Sequence, residues 1–104
     1  MSNTQSNKTK VAPLVDVYES GEEFRLVADL PGVGDDELEL SVDKKTLTIA
    51  SAREGRGWEF GRDFRLPDEV DVERVEASLN AGVLTVTIPK AAKARVRKIS
   101  VKTA

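Results

Sequence analysis

The stretch Ala81-Gly82-Val83-Leu84-Thr85-Val86-Thr87-Ile88-Pro89-Lys90 carries its own punctuation. Leu84, Val86 and Ile88 alternate and so share one face of a strand. Gly82 supplies a turn before that strand, and Pro89, which has no N–H to give to a ladder, ends it. Working outward, the same period of two recurs in Val15 and Val17; in Phe24, Leu26, Ala28 and Leu30; and in Leu38, Leu40 and Val42. It returns in Leu47 and Ile49, and again in Val75, Ala77 and Leu79. No stretch sustains a helical period. Between the runs lie the turn formers Ser20-Gly21-Glu22, Leu30-Pro31-Gly32-Val33-Gly34-Asp35 and Asn80-Ala81-Gly82, while Asp43-Lys44-Lys45-Thr46 joins two runs at hairpin distance. Short strands at this spacing predict an all-β fold, an antiparallel sandwich. Residues 68–74 are mixed and polar and are expected to hold a short turn.

A chain of 104 residues has room for one modest core. It contains no Cys and no His, which removes thiol nucleophiles, disulfides, thiolate or imidazole metal sites and the commonest general base. Charged residues make up 33% of the sequence at a net charge of −2, so both signs solvate the surface without a strong field toward nucleic acid. Residues 1–10 are polar and lack the apolar core of a signal peptide, and no apolar run is long enough to span a bilayer. The expectation is a cytoplasmic protein with neither nucleic acid nor membrane as partner. Residues 1–12 read as a disordered arm, 13–90 as the folded domain and 91–104 as a flexible extension.

Candidate chemistry is sparse. Asp35-Asp36-Glu37 and Asp68-Glu69-Val70-Asp71 lack the ligand spacing and glycine of a calcium loop, so turn capping is expected and no metal. Gly32-Val33-Gly34 and Gly55-Arg56-Gly57 lack the helix and lysine of a phosphate loop. No catalytic residue and no cofactor is expected. The basic run through residues 90–98 has no aromatic platform for bases and little apolar face for lipid, and it suits a solubilising tether. In residues 58–66, Trp58, Phe60, Arg62, Phe64 and Leu66 share one face, a single cation in an apolar row. Taken alone, Arg62 snorkels out at a sheet edge or guards that edge against aggregation.

The motif Gly82-Val83-Leu84-Thr85-Val86-Thr87-Ile88-Pro89-Lys90, followed by Ile99-Ser100-Val101, resembles the small heat-shock protein family and its α-crystallin domain. Four further stretches carry the resemblance in the right order: Pro13-Leu14-Val15-Asp16-Val17-Tyr18-Glu19, Ala28-Asp29-Leu30-Pro31-Gly32-Val33, Thr46-Leu47-Thr48-Ile49 and Phe60-Gly61-Arg62-Asp63-Phe64-Arg65-Leu66-Pro67. It runs from about Pro13 to Val101. It implies an immunoglobulin-like β-sandwich of the α-crystallin type and an ATP-independent holdase of the stress response, not an enzyme, that binds unfolding client proteins and assembles with copies of itself. A co-chaperone-like or assembly module with little holdase activity is the alternative.

By the same resemblance, Trp58, Phe60, Arg62 and Phe64 line a dimer interface, with Arg62 in a cross-subunit ion pair. Leu40, Val42, Val75, Ala77 and Leu79 build a hydrophobic groove, and Ile99 and Val101 are the anchors that dock into such a groove on a neighbour. The chain departs from the family in two respects. Its N-terminal arm is short and polar, and only residues 50–59 separate the strand at Leu47 and Ile49 from the next, where bacterial and plant relatives carry a long strand-swapping loop. At about 3.3 to 3.6 Å per extended residue, that segment crosses to a neighbour only by giving up its local hairpin. Edge-to-edge pairing of residues 58–66 is expected in place of a swap.

Overall fold

The computed structural model describes residues 9–53, 55–92 and 99–103. Eight strands are formed among them: β1 (Thr9–Val11), β2 (Leu14–Glu19), β3 (Glu23–Asp29), β4 (Leu38–Asp43), β5 (Thr46–Ser51), β6 (Trp58–Arg65), β7 (Glu76–Asn80) and β8 (Val83–Pro89). They make two four-stranded sheets, ordered β1-β6-β5-β4 and β2-β3-β8-β7. The alternation seen in the sequence explains how the sheets stack. Leu26 and Ala28 of β3, Leu47 and Ile49 of β5, and Leu84, Val86 and Ile88 of β8 are all buried, and with Leu30, Val33, Phe60, Leu66 and Val70 they form one core. Burying each large aliphatic side chain is worth roughly 1.5 to 3 kcal/mol, which is why the period-two faces turn inward.

Tight turns set the register. Lys44 and Lys45 have φ of 50° and 70° between β4 and β5, and Ala81 and Gly82 have φ of 51° and 81° between β7 and β8, the left-handed pair that suits the twist of a two-residue hairpin. Gly82 is also pressed against the Leu30 loop. Leu30 N–H donates to its carbonyl at 2.7 Å, and a Cβ there would stand 3.1 Å from the Leu30 carbonyl oxygen. The polar segment 68–74 holds a 3-10 turn at Val72–Arg74, with the Asp71 carboxylate accepting from Glu73 N–H at 3.2 Å.

Two features differ from expectation. Order begins before Pro13, because Thr9–Val11 adds to the edge of β6, and that pairing is parallel whereas all other strand pairs are antiparallel. All three residues are exposed, so β1 is held by its ladder and by a bond from Thr9 N–H to Gly57 O at 3.1 Å, without an apolar face that patterning registers. Residues 1–8 of the expected arm and 93–98 of the expected extension lie outside the described residues.

Candidate functional site

The sheet orders place β4 and β7, the last strand of each sheet, together on one flank. Among the described residues, neither has a hydrogen-bonded partner on its outer side. Between them lie two adjoining cavities of about 240 and 330 Å³, which share Leu40 and Ala77. Leu79 lines the first; Val42 and Val75 line the second. The five groove residues picked out in the sequence are thus brought together along one apolar trough bounded by unpaired strand edges. Such a trough accepts an extended segment, with pockets for alternate side chains and main-chain groups free on both rims. Ile99 and Val101 are not seated in it: they stand 80% and 93% exposed.

The opposite flank carries β1, β6 and β2. Arg62 lies across the ladder from Ile49 and so belongs to the inward face of β6, yet it is exposed. Its Nη1 donates to Pro13 O at 3.3 Å, and its guanidinium carbon lies 4.6 Å from the centroid of the Phe64 ring. No carboxylate of the described residues forms an ion pair with it. Phe60 is buried in the chain's own core, with Trp58 edge-on to it at 5.0 Å. The β1 ladder already occupies the β6 edge opposite Trp58, Glu59 and Phe60, leaving residues 61–65 open. The four expected interface residues therefore stand in different settings: Arg62 is exposed, Phe64 and Trp58 are half-buried, and Phe60 is internal.

Sequence reasoning missed two features. The first is the edge of β2, where Leu14, Val17 and Tyr18 are 78%, 59% and 57% exposed. Large apolar residues on both parities of one short strand were the available signal. The second is a charged clamp on the segment between β5 and β6. Arg53 makes a two-pronged pair with Glu37, both bonds at 2.9 Å, and also donates to Gly32 O at 3.2 Å. Arg56 Nη2 lies 3.8 Å from the same carboxylate and its guanidinium carbon 4.2 Å from the centroid of the Trp58 ring. Gly34 N–H donates to Glu37 as well, at 2.9 Å, so the acidic run does cap its turn. The Arg53 hydrogen bonds, followed by the one from Gly34, hold the Glu37 carboxyl below its ordinary pKa.

At the root of the C-terminal extension, buried Lys90 pairs with Glu19 at 2.8 Å and lies 4.9 Å from the Phe24 ring. Ala91 N–H donates to Glu69 O at 2.6 Å. Among the described residues, no group of acidic side chains could hold a metal ion, and no helix is long and apolar enough to cross a membrane.

Comparison with known proteins places this geometry. The model of the Hsp20/alpha crystallin family matches residues 16–102. The 18 kDa antigen of Mycobacterium leprae is 36% identical over 109 residues, spanning 92% of this chain and 72% of that protein. Small heat shock protein C4 of Rickettsia felis is 30% identical over 112 residues, spanning 94% and 69%. Among solved structures, a small heat-shock protein from Xylella fastidiosa superposes with a TM-score of 0.70 at 35% identity, covering 88% of this chain and 96% of that one. Heat shock protein 16.0 from Schizosaccharomyces pombe gives a TM-score of 0.72 at 27% identity, covering 96% and 80%.

Proposed function

The chain belongs to the Hsp20/alpha crystallin family, and from that premise we propose that it is an ATP-independent holdase that captures unfolding proteins by their exposed apolar segments. The observation that carries this is the trough between β4 and β7, apolar along its floor and edged by unpaired strands. Capture there needs no bond making or breaking. A chain without Cys or His, and without a phosphate loop, is suited to that work. Self-association belongs to the proposal: copies meet on the flank of Trp58, Phe60, Arg62 and Phe64, where Arg62 gains a carboxylate from a neighbour. Residues 91–98 act as the tether that brings Ile99 and Val101 to a neighbour's trough, in competition with clients. The setting is the cytoplasm.

The test is light scattering from a heat-labile client protein, warmed with the chain in equimolar amount and without ATP. Aggregation is expected to fall, and ATP is expected to change nothing. Ala77→Glu places a charge on the exposed rim of the trough and should abolish the protection while leaving the circular dichroism spectrum unchanged. A client that aggregates at its unprotected rate overturns the holdase assignment and leaves an adaptor or assembly module.

A further inference from the structure

Strand β4 alternates in charge as well as in burial. Leu40 and Val42 are half-buried toward the trough, while Glu39, Ser41 and Asp43 stand exposed on the other face. Their ladder partners on β5 are Ala50, Thr48 and Thr46, none of which carries a charge. Among the described residues, neither Glu39 nor Asp43 forms an ion pair. The edge of β4 therefore reads acid, apolar, serine, apolar, acid over residues 39–43. The tail reads Lys98-Ile99-Ser100-Val101-Lys102, the same pattern with the opposite sign at both ends. From this we infer that the trough selects its occupant by charge: Glu39 and Asp43 on the β4 rim admit residues 98–102 of another copy and turn away segments with acidic flanks. The inference rests on the tail docking proposed above and adds the side chains that make it selective.

An extended segment laid antiparallel on β4 with Ser100 opposite Ser41 sets Val101 beside Leu40 and Ile99 beside Val42, all on the trough face. On the other face the same register sets Lys102 beside Glu39 and Lys98 beside Asp43. Opposite charges facing each other across neighbouring strands stabilise the pairing, and like charges oppose it. A slip of one residue would turn Ile99 and Val101 out of the trough. A slip of two keeps the faces but loses the charge match. In one direction Lys98 meets Ser41 and Lys102 meets Glu37, which Arg53 and Arg56 already hold; in the other Lys98 meets Lys45 and Lys102 meets Ser41. The opposite rim fits less well, because Glu76-Ala77-Ser78-Leu79-Asn80 of β7 offers an acid at one end only. Charge thus fixes the register that the apolar pockets alone would leave to two-residue slips.

The full chain carrying Ile99→Ala and Val101→Ala leaves the trough open to an added probe. Three labelled, end-capped peptides, Lys-Ile-Ser-Val-Lys, Gln-Ile-Ser-Val-Gln and Glu-Ile-Ser-Val-Glu, are titrated into it at low salt and followed by fluorescence anisotropy. The lysine peptide is expected to bind about tenfold tighter than the glutamate peptide, with glutamine between. Salt at about 1 M, where the screening length falls to about 3 Å, should draw the three together. Adding Glu39→Lys and Asp43→Lys to the same chain should reverse the order, with the circular dichroism spectrum unchanged. Should that variant fail to fold, Glu39→Gln with Asp43→Asn is expected to bring the three affinities within about twofold of one another. Three peptides that bind alike at low salt would overturn the charge selection while leaving tail docking standing. An order that survives the changes at Glu39 and Asp43 but vanishes with Glu76→Gln would overturn it too, since β7 would then do the choosing. No binding by any of the three at millimolar concentration overturns both this inference and tail docking.

Discussion

Ala81 is held at φ 51° in the turn between β7 and β8, a conformation that an L residue with a Cβ adopts at a cost. Asn tolerates it far better, and Ala81→Asn should raise stability by about 0.5 to 1 kcal/mol. The check is a urea titration in which the midpoint rises and the slope does not change. Gly82→Ala should act in the opposite sense, because its new Cβ would meet the Leu30 carbonyl. That turn was legible in the residues themselves, since Asn80-Ala81-Gly82 is turn chemistry. The left-handed Lys45 was not, because lysine has no preference for φ 70°. It is held by distant partners: Nζ donates to Asp68 O at 3.0 Å and Val70 O at 3.2 Å, and its carbonyl accepts from Leu66 N–H at 2.7 Å. A tertiary cradle of that kind leaves no local trace in sequence.

Among the elements, the segment between β5 and β6 is short but tied down, since Arg53 and Arg56 both reach Glu37. Its carboxyl has a lowered pKa in the fold, so the clamp's contribution is complete above the ordinary carboxylate pKa and is lost as pH falls through the lowered one. Arg56 stacks on Trp58, the only tryptophan, and so gives the clamp a fluorescent reporter. Acid titration should shift Trp58 emission with a midpoint below that of a free glutamate, ahead of or together with loss of the strand signal. Glu37→Gln should remove that step and bring the acid-form emission to neutral pH. An unchanged titration in the variant would show that the clamp does not hold Arg56 in place. Strands β2 to β8 were legible as period-two runs of apolar residues; these reach the buried core in β3, β5 and β8, whereas in β2 and β7 only Val15 and Leu79 are half-buried. β1 was not, for it is exposed throughout and its order comes from the β6 edge it lies on. That Leu40, Val42, Val75, Ala77 and Leu79 would line one groove came from the family resemblance and not from their alternation, whereas the Glu37 clamp joins charges sixteen residues apart that no local pattern links.

For the molecule as a whole, assembly beyond a dimer is proposed to rest on Ile99 and Val101. Burying both is worth roughly 3 to 6 kcal/mol, while fixing the three residues from Ile99 to Val101 costs about 1 to 2 kcal/mol each, so one docked tail is weak and reversible. Many acting together are not. The double variant Ile99→Ala, Val101→Ala should therefore retain dimers and lose larger species in light scattering, and its free trough should bind an added Ile-x-Val peptide more readily than the parent does. A parent-like mass distribution with parent-like peptide affinity would remove the tail as an anchor. The separation of the two flanks, β2 with β1 and β6 on one side and β4 with β7 on the other, then sets the connectivity of whatever assembly forms. If copies pair on the first of these flanks, as proposed above, the pair leaves both troughs and both tails unspent, which makes it a junction of valence four, two sockets and two plugs. Junctions of that valence link into branched or closed networks whose size follows concentration and temperature, and each plug that lets go frees a socket without severing the pair.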